Sequence, residues 1–404
     1  MDSKNNGIAK HTMKIVLVLV FVFFSIMTKG QMFNPSSFNS LIIQNSYVFV
    51  LAIGMLMCML IKGNIDLSVG SVVCFIDAVG AALMVNAGVP IWMAMLIMLI
   101  FGLIIGAVLG SIIAFLNVPP WIATLAGYLA FRGWGTRVLN NGTIGGIPSE
   151  FVNLFFGYVP DLFHIEGFNL TCLIIGCLAV LAYIVSSWVS RKGKMKKGYE
   201  VEDAKSFWLR NILVAFVVIL VAVKLAMYKG IPYTLVWVVV IALVYNFIIS
   251  RTTLGRVFYA MGGNVEATRL SGINTKKVLF LAYFNMQFLT VVAAWMTMAR
   301  QAAANPTAGQ NYEMDAISAC IVGGVSAYGG SGSIPGMIVG AVLIGVINLG
   351  MSIMGIDANW QKFVKGVVLL AAVVFEIYNK RTKKQKKSID NKKNAETAKI
   401  EAAN

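Results

Sequence analysis

The sequence predicts an all-α fold, a polytopic integral membrane helical bundle of about twelve transmembrane helices with both termini cytoplasmic. Three observations predict it. The chain of 404 residues is 58% hydrophobic and only 12% charged, and its mean hydropathy is +0.78, a composition that excludes a soluble enzyme. Apolar runs near the ~20 residues needed to cross a bilayer follow one another along almost the whole chain. The basic residues behind the net charge of +16 gather between those runs and in the tail, which membrane orientation explains better than nucleic-acid binding.

The N-terminus has the outline of a signal peptide, with Lys4, Lys10 and Lys14 ahead of the apolar run from Ile15 to Met27. Thr28-Lys29-Gly30-Gln31 offers no small-x-small cleavage site, so a retained first helix is expected. Further spans are expected at 41–61, 67–86, 91–116, 121–139, 169–189, 211–228, 233–250, 278–298, 313–328, 334–355 and 359–378. Two of these carry charges, Arg132 and Arg137 in one, Glu313 and Asp315 in the other. Those two are expected to be tilted, broken or re-entrant, because charge and irregular backbone are tolerated at membrane depth only inside protein.

With the N-terminus inside, the cytoplasmic pieces are 1–14, 62–66, 117–120, 190–210, 251–277, 329–333 and 379–404, and they hold 25 of the 33 Lys and Arg residues. The 140–168 loop holds none and is assigned to the external face. Its Asn, Gly and aromatic content suits a partner or solute, and suits a merely structural loop equally well. Residues 1–378 read as one transmembrane domain and 379–404 as a disordered basic cytoplasmic tail.

Polar residues inside apolar spans are functional candidates because burying them is costly. Gln44, Asn45, Asp77, Asn285, Gln287, Asp315 and Asn348 form this group, as pathway residues or as hydrogen bonds between helices. Only Asp77 is a carboxylate clearly within a helix, which weighs against a proton- or sodium-coupled carrier. Two glycine-rich turns follow. In Gly63 to Ser71, Asp66 or Ser68 is positioned to cap the next helix; in Gly323 to Gly336, Pro335 suits a first helical turn. No GxxxxGK[ST] occurs, so any ATP must be handled by another polypeptide. No catalytic or metal-binding residues are expected: Cys58, Cys74, Cys172, Cys177 and Cys320 lack ligand spacing, and His11 and His164 lie outside the spans.

The longest polar interruption, Arg251 to Lys277, carries five basic residues and a single acid, Glu266. Gly262-Gly263-Asn264 reads as a turn with Asn264 as N-cap, followed by a short helix from Val265 to Ile273. Glu266 and Arg269 stand three apart on it, and Ala267, Leu270 and Ile273 fall on one apolar face. The segment reads as a docking surface or as an ordinary connection between two helices.

Six blocks in order carry a resemblance: GNIDLSVGS (63–71), IATLAG (122–127) with FRG (131–133), YAMGGNVEATRLSGIN (259–274), NPTAG (305–309), GGVSAYGGSGSIPG (323–336) and WQKFVKGVVLLAAV (360–373). From Leu41 to Phe375 the chain resembles the permease subunits of bacterial ABC importers for monosaccharides, in the branched-chain-amino-acid/ribose/xylose permease family. The run 44–73 points to the multiple-monosaccharide or xylose subgroup, as does the 190–232 insertion, a basic cytoplasmic loop and an extra span that shorter ribose-type permeases lack.

The resemblance implies a multi-pass subunit of the bacterial cytoplasmic membrane. It passes sugars such as xylose, arabinose, glucose and galactose, delivered by an extracytoplasmic sugar-binding protein. A cytoplasmic ABC ATPase subunit would hold ATP and Mg, this chain would bind no cofactor, and a second permease copy and membrane lipid would be its other partners. It further implies that 251–277 is the coupling loop, with Gly263, Asn264, Glu266, Arg269, Leu270 and Gly272 forming or shaping the ATPase contact. Gln44, Asn45, Asp66, Ser68, Ser71, Thr124, Asn285, Gln287 and Asn348 are the pathway or gate candidates. A xylose-specific permease and an ion-coupled secondary sugar carrier are the alternatives. Trp121 and Tyr128 are bulkier than the family pattern around IATLAG, which bears on substrate preference if they line the pathway.

Overall fold

The structure, a computed structural model, describes residues 3–199, 201–374 and 377–378. In chain order the helices are α1 (Ser3–Met27), α2 (Pro35–Gln44), α3 (Ser46–Leu60), α4 (Val69–Ala81), α5 (Ile91–Ala114), α6 (Pro120–Val138) and α7 (Ser149–Phe156). They continue as α8 (Leu170–Lys196), α9 (Ala204–Ala226), α10 (Tyr233–Arg251), α11 (Thr253–Gly263), α12 (Val265–Leu270), α13 (Thr275–Gln301), α14 (Tyr312–Val322) and α15 (Ile334–Ile353). A π-helical turn, Ala82–Asn86, prolongs α4, and residues 358–374 are helical. Two short strands, β1 (Ile144–Gly145) and β2 (Ala303–Ala304), pair antiparallel.

Among the described residues, seven helices are long and apolar enough to cross a membrane: α4 with its extension, α5, α8, α9, α10, α13 and α15. The pair α2 and α3, bent by 41° at Asn45, makes an eighth if counted as one span. The other expected crossings differ in length or polarity. The apolar part of α1 is only Met13–Met27. At 19 residues α6 is long enough but carries Arg132 and Arg137. The 11 residues of α14 reach about 16 Å, half a bilayer core, so the 313–328 segment is broken, as its charges predict. The 358–374 helix carries Lys362 and Lys365. The basic tail 379–404 lies outside the described residues.

The middle of the bundle is α3 with α13. Almost every residue of α3 is buried, and α13 is buried without a break from Leu289 to Ala294. A helix that is apolar all round belongs inside. The periphery is α8, α9 and α10, which expose Leu178, Leu181, Phe216 and Leu243 where lipid would lie. Gly176 lets α8 approach Ala222 of α9 closely, so these two helices form a hairpin.

Two groups of loops gather at opposite ends of α13, whose 27 residues span about 40 Å. At one end the Gly330 amide donates to the Leu60 carbonyl (3.0 Å) and the Tyr259 hydroxyl to the Gly332 carbonyl (2.7 Å). This joins three pieces that charge counting assigns to the cytoplasm. Gly262 lies in the same contact, where a Cβ would collide with the Leu60 carbonyl and the Gly330 backbone. At the other end β1 of the 140–168 loop pairs with β2, and the Val159 amide donates to the Ile231 carbonyl (2.9 Å). There Asp161 accepts from the Thr171 hydroxyl (2.8 Å), which holds its carboxyl below the ordinary aspartate range.

Candidate functional site

After α3 the chain turns back into the protein before α4 begins. Asp66 is fully buried; its Oδ1 accepts from the Ser68 amide (2.9 Å) and hydroxyl (2.6 Å), and its Oδ2 accepts from Gln287 Nε2 (2.8 Å). Gln287 lies about 18 Å along α13 from Thr275, at ~1.5 Å per residue. The 62–66 segment therefore does not stay at the end of the bundle where α13 begins, the end to which charge counting assigns it. Nor does Ser68 cap α4 with its side chain. Asp66 closes the turn on Ser68 and hooks it to α13, because backbone folded back into the bundle needs acceptors from protein.

From the opposite end, where β1 pairs with β2, residues 305–311 descend to meet that turn. Arg132 donates to the carbonyls of Pro306 (3.0 Å) and Ala308 (2.7 Å), and the Cys74 thiol faces the Asn305 and Pro306 carbonyls (3.8 and 3.7 Å). Gly309, with φ +69°, lies against Gly70, and a Cβ on either would collide with the other's carbonyl oxygen. Glu313 is packed beside Gly70 as well. Thus α4 and α14 both begin inside the protein and touch by their first turns, an arrangement of interrupted helices suited to a solute site within a membrane.

Around this seam the polar groups are connected. The Tyr47 and Tyr312 rings stack at 3.5 Å and 12°, and the Tyr47 hydroxyl donates to Asp315 Oδ2 (2.6 Å). Lys365, on the 358–374 helix, pairs with Asp315 Oδ1 (2.9 Å). At the α2–α3 bend Asn348 Nδ2 donates to Asn45 Oδ1 (3.2 Å). Ser71 Oγ, both Asp77 oxygens, Gln287 Oε1, Glu313 Oε2 and Asn348 Oδ1 are buried with no hydrogen-bond partner among the described residues. Carboxylates, amides and hydroxyls in this mixture match a polyhydroxylated solute, which donates and accepts by turns.

The expected pathway residues are only partly brought together. Asp66, Ser68 and Gln287 form one network, with Ser71 buried just beyond it, and Asn45 and Asn348 form another. Thr124 is buried, but its hydroxyl donates to the Pro120 carbonyl of its own helix (2.9 Å). Asn285 accepts from the Tyr245 hydroxyl in a separate apolar cleft of about 220 Å³ between α5, α10, α11 and α13. Gln44 is exposed at the end of α2. Trp121 points out of the bundle, 57% exposed, and Tyr128 is half-buried. Sequence reasoning did not assign Arg132, Glu313 or the Tyr47–Tyr312 stack to the site. The signal for the first two was charge inside a span.

At the end of the bundle that charge counting assigns to the cytoplasm, Asn264 Oδ1 accepts from the Ala267 amide (3.0 Å) and caps α12. The helix stops at Leu270, short of the expected Ile273, because the chain turns at Gly272 with φ +83°. Thr268 is buried, and Val265 and Ile273 pack against the core. Ala267 and Leu270 face outward, so the expected shared face with Ile273 is split. Leu270 is 78% exposed beside the Glu266–Arg269 ion pair. A Cβ added at Gly263 would meet open space.

Comparison with known proteins fits this architecture. Residues 37–373 match the family model described as branched-chain amino acid transport system / permease component. The xylose transport system permease protein XylH of Haemophilus influenzae is 34% identical over 378 residues, 94% of this chain and 98% of that protein. XylH of Escherichia coli K12 is 32% identical, with 94% of each chain covered. The ribose import permease protein RbsC of the same organism is 32% identical over 365 residues, 90% of this chain and 92% of its own. No solved structure matches. A polytopic apolar bundle, interrupted helices meeting at a buried polar seam, and end-to-end similarity to transport permeases lead to one conclusion: this chain belongs to the branched-chain amino acid transport system / permease component family.

Proposed function

We propose that this chain is the membrane-spanning subunit of an ATP-driven importer of monosaccharides, forming the path for sugars such as xylose, arabinose, glucose and galactose. One observation carries the reading: similarity to a xylose permease over 98% of that protein's length. A permease restricted to xylose is the narrower form. ATP and Mg belong to a cytoplasmic ABC ATPase subunit, an extracytoplasmic binding protein delivers the sugar, and this chain binds no cofactor. Two permease copies work together, with lipid around α8, α9 and α10.

The exposed Leu270, beside Glu266 and Arg269, suits seating on the ATPase. Motion at α12 has a short route inward. Through α11, Gly262 bears on Leu60 at the end of α3 and on Gly330, which follows α14. Those two helices carry Tyr47 and Asp315, so a rigid shift of α11 and α12 would move the stacked, hydrogen-bonded seam.

Reconstitution in vesicles with the ATPase and binding protein tests the proposal. ATP-dependent uptake of labelled xylose that needs both partners is the expected result. Uptake by this chain alone on an ion gradient would instead make it a secondary carrier.

A further inference from the structure

Among the described residues Asp77 is alone in leaving both carboxylate oxygens buried without a hydrogen-bond partner. It lies on α4 seven residues after Gly70 and three after Cys74, so all three share one helical face. That face is turned to the descending segment: Gly70 meets Gly309, and Cys74 meets the carbonyls of Asn305 and Pro306. Next along that face, one turn beyond Cys74, comes Asp77. Asp77 therefore stands on the α4 face turned to the descending segment, and the described residues give it nothing to bond.

A carboxyl group in that position is unfavourable while that face is closed. It gains partners only when something with hydrogen-bond donors enters. A cation is a poor candidate, since it needs several oxygens at once. Asp66 and Asp315 are already bonded, and Glu313 lies beside Gly70, about 10 Å further along α4. The two free oxygens of one carboxylate instead match two neighbouring hydroxyls on a sugar ring.

We propose that Asp77 is a specificity-determining residue of the translocation pathway, accepting hydrogen bonds from adjacent sugar hydroxyls on the face of α4 that is turned to the descending segment. The inference rests on the permease reading above. It assigns the hydroxyl-reading role to a residue separate from the Asp66–Ser68–Gln287 network that holds the turn closed.

The test uses vesicles containing the ATPase, the binding protein and either the parental chain, Asp77→Asn or Asp77→Leu. Uptake of xylose is compared with uptake of its monodeoxy analogues, and thermal stability is measured for each protein. The parental chain is expected to favour xylose over at least one analogue, and both variants to lose about tenfold of that preference, as expected when a hydrogen-bonding acceptor for a substrate hydroxyl is removed. Asp77→Leu is expected to match or exceed the parental melting temperature, because an unpartnered buried carboxyl has gone. Parental preference in both variants, or a uniform slowing of xylose and every analogue, would overturn the proposal. A parental protein that takes up no monosaccharide would sink the permease reading and this inference together, and is distinguishable because it needs no variant.

Discussion

Gly70 and Gly309 touch backbone to backbone, each occupying the space in which the other's Cβ would have to sit. The contact joins a turn entering from one end of the bundle to a segment entering from the other. Neither side can yield by rotating a side chain. Gly309→Ala, which also forces an L side chain into φ +69°, is expected to destabilise the protein by about 2 kcal/mol or more. Thermal unfolding in detergent measures the loss, and an unchanged melting temperature would mean that the two segments do not meet.

Lys365 supplies the counter-charge to a nearly fully buried Asp315. Lys365→Met should therefore cost about 3–5 kcal/mol, the usual penalty for stranding one member of a buried pair. Adding Asp315→Asn should recover much of it, since the Tyr47 hydroxyl keeps an acceptor. A double-mutant cycle by thermal unfolding checks this, and simple additivity would count against the pair.

Leu270→Asp should abolish coupling without preventing insertion, because Leu270 is on the outer face of α12. Arg269→Glu should do less, since Arg269 is exposed and already paired with Glu266. The readouts are co-purification with the ATPase and sugar-stimulated ATP hydrolysis. Normal assembly and full stimulation in Leu270→Asp would return this segment to the status of a simple connection.

Asp161 makes the 140–168 loop sensitive to acid in a defined direction. Its carboxyl is held below the ordinary range by the Thr171 hydroxyl and by the Phe163 and Thr171 amides. A lowered folded-state value means that the stabilisation is present above the unfolded aspartate value of about 4 and lost as pH falls through the still lower folded value. Hydrogen exchange at Leu162 and Thr171 should be steady down to that region, after correction for intrinsic rates, and lose protection below it. Asp161→Asn should remove the pH dependence.

Residues with a local signature were legible before the fold was known. Asn264 capped the helix it preceded, Glu266 and Arg269 paired at their spacing, and Arg132, Glu313 and Asp315 marked the spans that turned out interrupted or polar. The Arg132 partners were not legible, because they are backbone carbonyls 174 and 176 residues away. Asn285 and Gln287 looked equivalent as polar residues in one span. Being two apart on a helix they face different ways, one to the apolar cleft and the other to Asp66. The length of α12 was overestimated because a glycine at the end of an apolar pattern does not by itself announce a left-handed turn.

The pairing of Lys365 with Asp315 also changes how the end of the chain should be regarded. The 358–374 helix looks like an appendage after α15, and a shortened protein ending near residue 355 would keep both glycine-rich turns, 63–71 and 323–336. Such a protein would carry a bare negative charge in its middle. Trimming from the C-terminal side, or fusing a reporter ahead of residue 365, is thus an electrostatic operation on the centre of the bundle, while extensions placed beyond residue 378 leave that charge balanced.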